Sequence, residues 1–420
     1  MNNLVIFLCR CLSVGLAIQV CFMLMFLWCL CSYKKNLLPD EQLPKTAVIL
    51  CLRGADPFLS DCLKALLNQN YPQYDLKLVI DRMEDPAWSI ATNIIQEQGA
   101  TNVQIRPLRI IRKNCSLKCS SLIQAVTDLD DSYKAVALVD ADTIVHANWL
   151  QELVSPLADP QVGATTGNRW YAPTGNYWGT LVRYIWNVAA VVQMYIYGIP
   201  WGGSLAMKTE VIYQTGLLDK WGKAFCEDTM MRRILGKHNM QVKFVPSLMM
   251  LNQEECDLPS LRYWMQRQLL FCRLYHPCWL AVIGNAILTI LFPLLLSVLF
   301  VAALFTGQWY AAVLSFSCYG SYVVAQLLIV LFLEQGVQLV IRSHSQLSTN
   351  FSVATIVKML IGIPLTQWVY GLAMLLSLWI QKVKWRGITY QFKGPWWIRL
   401  VQYRPYQSLD QPVTPNISLN

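Results

Sequence analysis

At 420 residues, with 55% hydrophobic and only 14% charged residues and a mean hydropathy of +0.36, the chain is too apolar for an ordinary soluble enzyme. It reads as part membrane protein. The net charge of +9 suits a surface lying against anionic lipid, and no basic and aromatic pattern points to nucleic acid.

Residues 11–31 are apolar and uncharged, preceded by Arg10 and followed by Lys34 and Lys35. A run of ~20 residues crosses ~30 Å of hydrocarbon. This run exceeds a signal-peptide core and shows no small-residue cleavage pattern, so residues 1–35 are expected to be an uncleaved anchor. Lys34, Lys35 and Lys45 place the next domain, 36–260, in the cytoplasm by the positive-inside rule.

That domain opens on a strand-length apolar run, 46–52, closed by the turn Arg53-Gly54-Ala55-Asp56-Pro57. Leu59, Cys62, Leu63, Leu66 and Leu67 recur at helical spacing and stop at Asn70-Tyr71-Pro72. Strand 76–80, helix 88–98, strand 102–107, helix 120–126 and strand 135–139 follow. Repeated β-α-β units predict an α/β, Rossmann-like domain with a largely parallel sheet. Ligands of such sheets collect beyond the carboxyl ends of the strands. That rule selects Asp81, after the second strand, and Asp140 with Asp142, after strand 135–139.

Two carboxylates one residue apart, as in Asp140-Ala141-Asp142, can converge on a hard cation, Mg2+ or Mn2+, whose shell is completed by substrate phosphates. A solvated acidic turn is the plainer alternative. Asp81 can accept hydrogen bonds from a nucleotide base or sugar, while Asp85 reads as a solvated loop residue. Lys118 sits just before a helix and either neutralises a diphosphate or is a plain surface lysine.

Further along, Gly202-Gly203-Ser204 follows Trp201 and leads into a short apolar strand; helix 184–197 comes before it. The glycines are either a close approach to substrate, with Trp201 offering a flat face to a sugar ring, or a tight packing turn. Glu227-Asp228 is either an ordinary helix start, ahead of helix 230–235, or a candidate general base. Arg262, Trp264, Gln266, Arg267, Gln268 and Arg273 suggest an interfacial amphipathic helix over 261–277.

Apolar runs 278–305, 309–333 and 358–380 predict a membrane bundle over 278–381. Three spans after a cytosolic domain would leave residues 382–420 outside. Yet Lys382, Lys384, Arg386, Lys393, Arg399 and Arg404 favour a basic cytosolic tail, ending loosely at 410–420. One run is therefore expected to be re-entrant or interfacial, and Pro364 marks the last as a broken segment. The fourteen cysteines read as reduced thiols, and Cys115 with Cys119 lacks the second pair a zinc site needs.

In this order, the first strand through Gln69-Asn70-Tyr71-Pro72, Asp81, Lys118, Asp140-Ala141-Asp142, Gly202-Gly203-Ser204, Glu227-Asp228 and the Gln/Arg-rich helix resemble family 2 inverting glycosyltransferases of the ceramide-glucosyltransferase-like membrane branch. The resemblance implies a nucleotide-diphospho-sugar transferase (GT-A type) fold. Within it Asp81 contacts the nucleoside, Asp140 and Asp142 serve donor and metal, and Asp228 is the catalytic base. Lys118 and Arg267 fall on the donor side, and Trp201, Gly202, Gly203, Glu227, Gln268 and Arg273 on the acceptor side. The last motif of that family is Gln or Arg, two residues, then Arg-Trp. Here Arg267-Gln268-Leu269-Leu270-Phe271 keeps the first Arg and has Leu-Phe for Arg-Trp, with Arg273 a possible substitute. The implied partners are a nucleotide-diphospho-sugar, a lipid acceptor such as ceramide or diacylglycerol, and the membrane itself. A processive polysaccharide synthase and a silent membrane scaffold are the alternatives.

Overall fold

The computed structural model describes residues 1–343 and 351–406. After the long apolar helix α1 (Asn2–Ser32), the chain alternates β1 (Thr46–Leu52), α2 (Leu59–Leu67), β2 (Tyr74–Ile80), α3 (Pro86–Gln98), β3 (Val103–Pro107), α4 (Leu117–Thr127) and β4 (Ala135–Val139). These four strands pair in parallel, with β1 between β2 and β4. The apolar runs that define β1 and β4 are buried on both faces, as a strand covered by helices on each side requires. Local chemistry bounds α3, which starts on the Asp85 cap with Pro86 behind it and stops at Gly99, at φ +58°.

The second half departs from the parallel expectation. After α5 (Trp149–Val154), β5 (Val162–Tyr171), α6 (Trp178–Tyr197) and β6 (Ser204–Lys208), two short helices, α7 (Thr209–Gln214) and α8 (Leu217–Trp221), lead to α9 (Met231–Gly236) and β7 (Gln241–Asn252). The seven strands lie in the order β3-β2-β1-β4-β6-β5-β7, with β6 antiparallel to both neighbours and β7 parallel to β5. The parallel half brings the carboxyl ends of β1, β2 and β4 to one edge, with Arg53, Asp81 and Asp140 next in chain.

Helix α10 (Leu258–Tyr275) leads into α11 (Trp279–Ala286), which runs through a π-helical turn, Ile287–Leu291, into α12 (Phe292–Phe305). Helices α13 (Trp309–Arg342) and α14 (Val353–Trp379) complete the set. Among the described residues, four segments are long and apolar enough to cross a membrane: α1, residues Trp279–Phe305, α13 and α14. The bundle is pinned to the sheet domain at Glu334 of α13, which accepts from Trp170 Nε1 and the Tyr184 hydroxyl at 2.8 Å each. Pro364 does not break α14, contrary to expectation; the helix runs unbroken along α6 and α10. Gly362 lets it close on Ile185 and Leu181 of α6. At its other end Arg273 of α10 donates to the carbonyls of Leu378 and Ile380.

The basic tail is, over its first part, a folded layer. Strands β8 (Lys382–Trp385), β9 (Ile388–Gly394) and β10 (Trp397–Tyr403) form an antiparallel sheet whose alternate residues, among them Ile388, Tyr390, Phe392, Ile398 and Leu400, are buried. That face closes on the α/β domain: the Tyr390 hydroxyl accepts from Leu117 N at 3.1 Å and Leu400 N donates to Lys113 O at 2.7 Å. The Phe225 ring meets Tyr390 at 4.9 Å and Phe392 at 4.7 Å. Residues 410–420 lie outside the described residues.

Candidate active site

Lys118 stands in the first turn of α4, set there by the Ser116 cap, rather than ahead of the helix. Its Nζ lies 2.6 Å from Asp140 Oδ1 and 2.5 Å from Glu227 Oε1, so it bridges the end of β4 to the loop before α9. Burial alone would lower the lysine pKa, but the two carboxylates outweigh it and hold the ammonium well above its ordinary range. Asp140 responds in kind: burial would raise it, and Lys118 holds it below the usual carboxylate value. Glu227 is pushed up to about 7, with burial outweighing Lys118. It is an ion-pair partner within the cluster.

Asp142 is different. Burial, with Asp140 beside it, pushes its carboxyl up to about 6, and its Oδ2 accepts a 3.4 Å bond from Asn252 Nδ2 at the end of β7. Two crowded carboxylates, with Lys118 paired to Asp140 and the Arg169 charge acting on both, fit a divalent cation that takes one or two protein oxygens and fills its shell from a ligand. No group of three or more His, Cys, Asp or Glu side chains is arranged for a metal among the described residues.

The glycine turn locks these acids together. Gly202 N donates to Asp228 Oδ2 at 2.8 Å, and Thr229 Oγ1 donates to Asp228 Oδ1 at 2.8 Å. A Cβ on Gly202 would lie 2.1 Å from Glu227 Oε1; one on Gly203 would lie 2.8 Å from Asp140 Oδ2. The turn is therefore a close approach to the acids on both sides. Trp201 is only 6% exposed, and its buried Nε1 has no hydrogen-bond partner among the described residues. Its ring is faced by the Arg169 guanidinium at 5.7 Å rather than open as a platform.

Arg273 does not reach the site, because its guanidinium caps the end of α14. Asp85 is no solvated loop residue: it is 5% exposed and accepts from Gly54 N at 2.9 Å besides capping α3. Asp81 sits at the end of β2, yet it is 3% exposed, with Arg53 Nη1 and the Tyr403 hydroxyl, the latter at 2.8 Å, both on Oδ2. Its buried Oδ1 has no hydrogen-bond partner among the described residues. Arg53 stands between it and the cavity.

That cavity, about 580 Å³, is lined at one end by Lys118, Asp140, Asp142, Glu227, Asp228, Arg267 and Gln268. At the other end it is lined by membrane-helix side chains, among them Phe22 and Met23 of α1, Tyr322, Gln326 and Ile329 of α13, and Ile363, Thr366 and Gln367 of α14. Sequence reasoning missed three wall residues. Arg169 of β5 faces Tyr171, Trp201 and Trp264 at 5.4, 5.7 and 5.0 Å. Trp385 and Arg386 come from the tip of the C-terminal hairpin. All fourteen cysteines are free thiols, and Cys115 and Cys119 are buried in the core.

Comparisons with known proteins agree with this architecture. A family model described as Glycosyl transferase family 21 matches residues 11–394. Ceramide glucosyltransferase of Pyricularia oryzae is 36% identical over 67 residues, 16% of this chain; the chain spans 14% of that relative. The mannosyltransferase PcManGT from Pyrobaculum calidifontis, solved in complex with GDP-Man and Mn2+, superposes with a TM-score of 0.51 at 15% identity, over 89% of this chain and 99% of that one. The last likeness concerns the fold alone, which is of the GT-A type. The motifs point to the ceramide-glucosyltransferase-like branch of family 2; the matching model bears the number 21 and keeps that branch. With that match over most of its length, the chain belongs to glycosyl transferase family 21 and is a glycosyltransferase.

Proposed function

We propose that the protein moves one sugar from a nucleotide-diphospho-sugar to the hydroxyl of a membrane lipid, with inversion at the anomeric carbon. One observation carries this reading: a single cavity joins Asp140, Asp142 and Asp228 to side chains of α1, α13 and α14. A lipid whose chains lie among those helices would present its headgroup to the acids. The ceramide glucosyltransferase of Pyricularia oryzae, although matched over a short stretch, makes a ceramide-type lipid the first acceptor to try.

Asp228 is held with one carboxylate oxygen on Gly202 N and the other on Thr229, an orientation suited to taking the proton of an attacking hydroxyl. As the acceptor oxygen bonds to the anomeric carbon, the bond to the diphosphate breaks and its electron pair leaves with the phosphate. Asp140 and Asp142 are the residues that would hold Mg2+ or Mn2+, which when bound neutralises diphosphate charge. Lys118 fixes Asp140, and Arg267 faces the same end of the cavity.

The C-terminal sheet packs on the α/β domain, so both lie on one side of the membrane. We place that side in the cytoplasm from Lys34, Lys35 and Lys45. Two of the three C-terminal apolar segments then cross, and α14, lying along α6 and α10, is the one that does not.

The test is incubation of the purified protein with Mn2+ or Mg2+, lipid extract and a panel of radiolabelled nucleotide-sugars. A lipid-extractable product carrying one sugar supports the proposal. Long polymer made from donor alone would replace it with a processive synthase, and no turnover with any donor would leave a silent scaffold.

A further inference from the structure

The degenerate end of the Gln/Arg-rich helix has a physical counterpart elsewhere in the chain. Leu270, where the family pattern has Arg, is fully buried and shares one hydrophobic cluster with Val383, Ile388, Tyr390 and Phe392 of the C-terminal sheet. Phe271, where the pattern has Trp, lies against Phe225, with ring centroids 5.3 Å apart. These two positions dock the sheet, and an arginine at 270 would bury its charge beneath it.

Docking there brings the tip of the β8–β9 hairpin to the cavity wall. The turn is Arg386-Gly387, with φ +44° and +79°. A two-residue hairpin turn of this hand favours asparagine or aspartate followed by glycine, so arginine in the left-handed position is held against its preference. Its guanidinium donates to Arg53 O and to Asp56 Oδ2, the latter at 3.0 Å, both on the loop after β1 that lines the same cavity. Trp385 lies between two cations, 5.3 Å from the Arg267 guanidinium and 5.6 Å from that of Arg386. Arg267 and Arg169 make no ion pair within 4 Å among the described residues, although both line the cavity beside Asp140. Unpaired guanidiniums in a partly buried wall are built for an anion.

We propose that Trp385 and Arg386 supply from the C-terminal hairpin the tryptophan and arginine that α10 lacks, and that with Arg267 they clamp the diphosphate of the donor. This rests on the nucleotide-sugar reading above. Trp385 holds the Arg267 plane toward the cavity, and Arg386 ties the hairpin to the loop after β1 and exchanges Asp56 for a phosphate oxygen. The C-terminal sheet is thereby part of the donor site.

Calorimetry on the full-length protein with Mn2+ tests this with UDP, GDP, the corresponding monophosphates and the nucleosides. R386Q and W385L should weaken whichever diphosphate binds by ~10- to 100-fold, the range of a lost charge-assisted hydrogen bond, and the monophosphate by less than ~3-fold. R386K should recover most of the loss. R386G suits the left-handed turn and keeps the hairpin, yet should show the same diphosphate loss, so poor folding cannot imitate the result. Unchanged diphosphate affinity, or equal losses for nucleoside, mono- and diphosphate, would overturn the clamp and leave Trp385 and Arg386 as structural. Wild-type protein that binds neither diphosphate would overturn the nucleotide-sugar reading itself.

Discussion

The Gly202 amide holds Asp228 Oδ2 at 2.8 Å, and the hydrogen in place of its side chain leaves Glu227 the space that a methyl would take. Gly202→Ala should therefore displace the acids while leaving the sheet intact. A shift of ~1 Å at such a position costs on the order of 100-fold in rate. Turnover of the variant, measured at saturating donor, should fall by about that factor; a change of less than ~2-fold would show that the turn has slack.

Lys118 separates two carboxylates that would otherwise face each other, Asp140 and Glu227. Removing the cation of such a partly buried cluster leaves two carboxylates facing each other and costs on the order of 1–3 kcal/mol. Lys118→Met should lower the apparent Tm by several degrees, whereas Asp140→Asn, which leaves the Glu227 pair, should lower it less. The raised lysine pKa contributes stability that is complete below the ordinary lysine range and lost only as pH climbs through the raised value. Lysine titration therefore adds nothing to the Tm difference between wild type and Lys118→Met from pH 6 to 8, but Glu227, raised to about 7 and pushed further up without the lysine, should widen that difference as pH climbs above 7.

Asp142 sets a pH dependence. Its carboxyl is raised to about 6 by burial and by Asp140, so its contribution to stability is present below the ordinary carboxylate range and lost as pH rises through about 6. A cation bound there must displace the proton. Mn2+ affinity, followed by electron paramagnetic resonance, should rise up to ~10-fold per pH unit below 6 and level off above it. Asp142→Asn should bind weakly and lack that rise. Affinity flat from pH 5 to 7 in the wild type would remove Asp142 from the cation site.

Because the C-terminal sheet packs on the α/β domain, its end must share a membrane face with the β2–α3 loop, where Met83 is exposed. Protease sites placed at Met83 and after Tyr406 should be cut or protected together in sealed vesicles. Protection of one and cleavage of the other would contradict the packing.

The sequence was most legible where an apolar run meets a hard stop. Strands 46–52 and 135–139 match β1 and β4 residue for residue, because Arg53-Gly54 and Asp140 end them sharply, and the helical recurrence from Leu59 to Leu67 becomes α2, which closes at Asn68, ahead of the stop at Asn70-Tyr71-Pro72. By contrast β5, with Thr165, Thr166, Gly167, Asn168 and Arg169 in sequence, has no clear alternation and owes its existence to long-range pairing with β6 and β7. Arg169, within it, carries no local signal of its own. Alternation in Ile388, Tyr390 and Phe392 was readable, but the lysines and arginines around it suggested only a charged tail. Arg273 looked like a spare cation through its nearness to Arg267 in sequence; six residues along an α-helix turn it ~120° away. Arg386 reaches the cavity from more than a hundred residues downstream of Arg267, a distance that no local pattern bridges.

If Asp228 takes the proton of the attacking hydroxyl, as proposed, Asp228→Asn is the variant that shows it most directly. Asparagine can still accept from Gly202 N, so affinity for nucleotide and donor should stay within ~3-fold, while transfer to the lipid acceptor should fall by ~100- to 10,000-fold, the usual range of general-base help. Near-normal transfer by the variant would contradict the assignment.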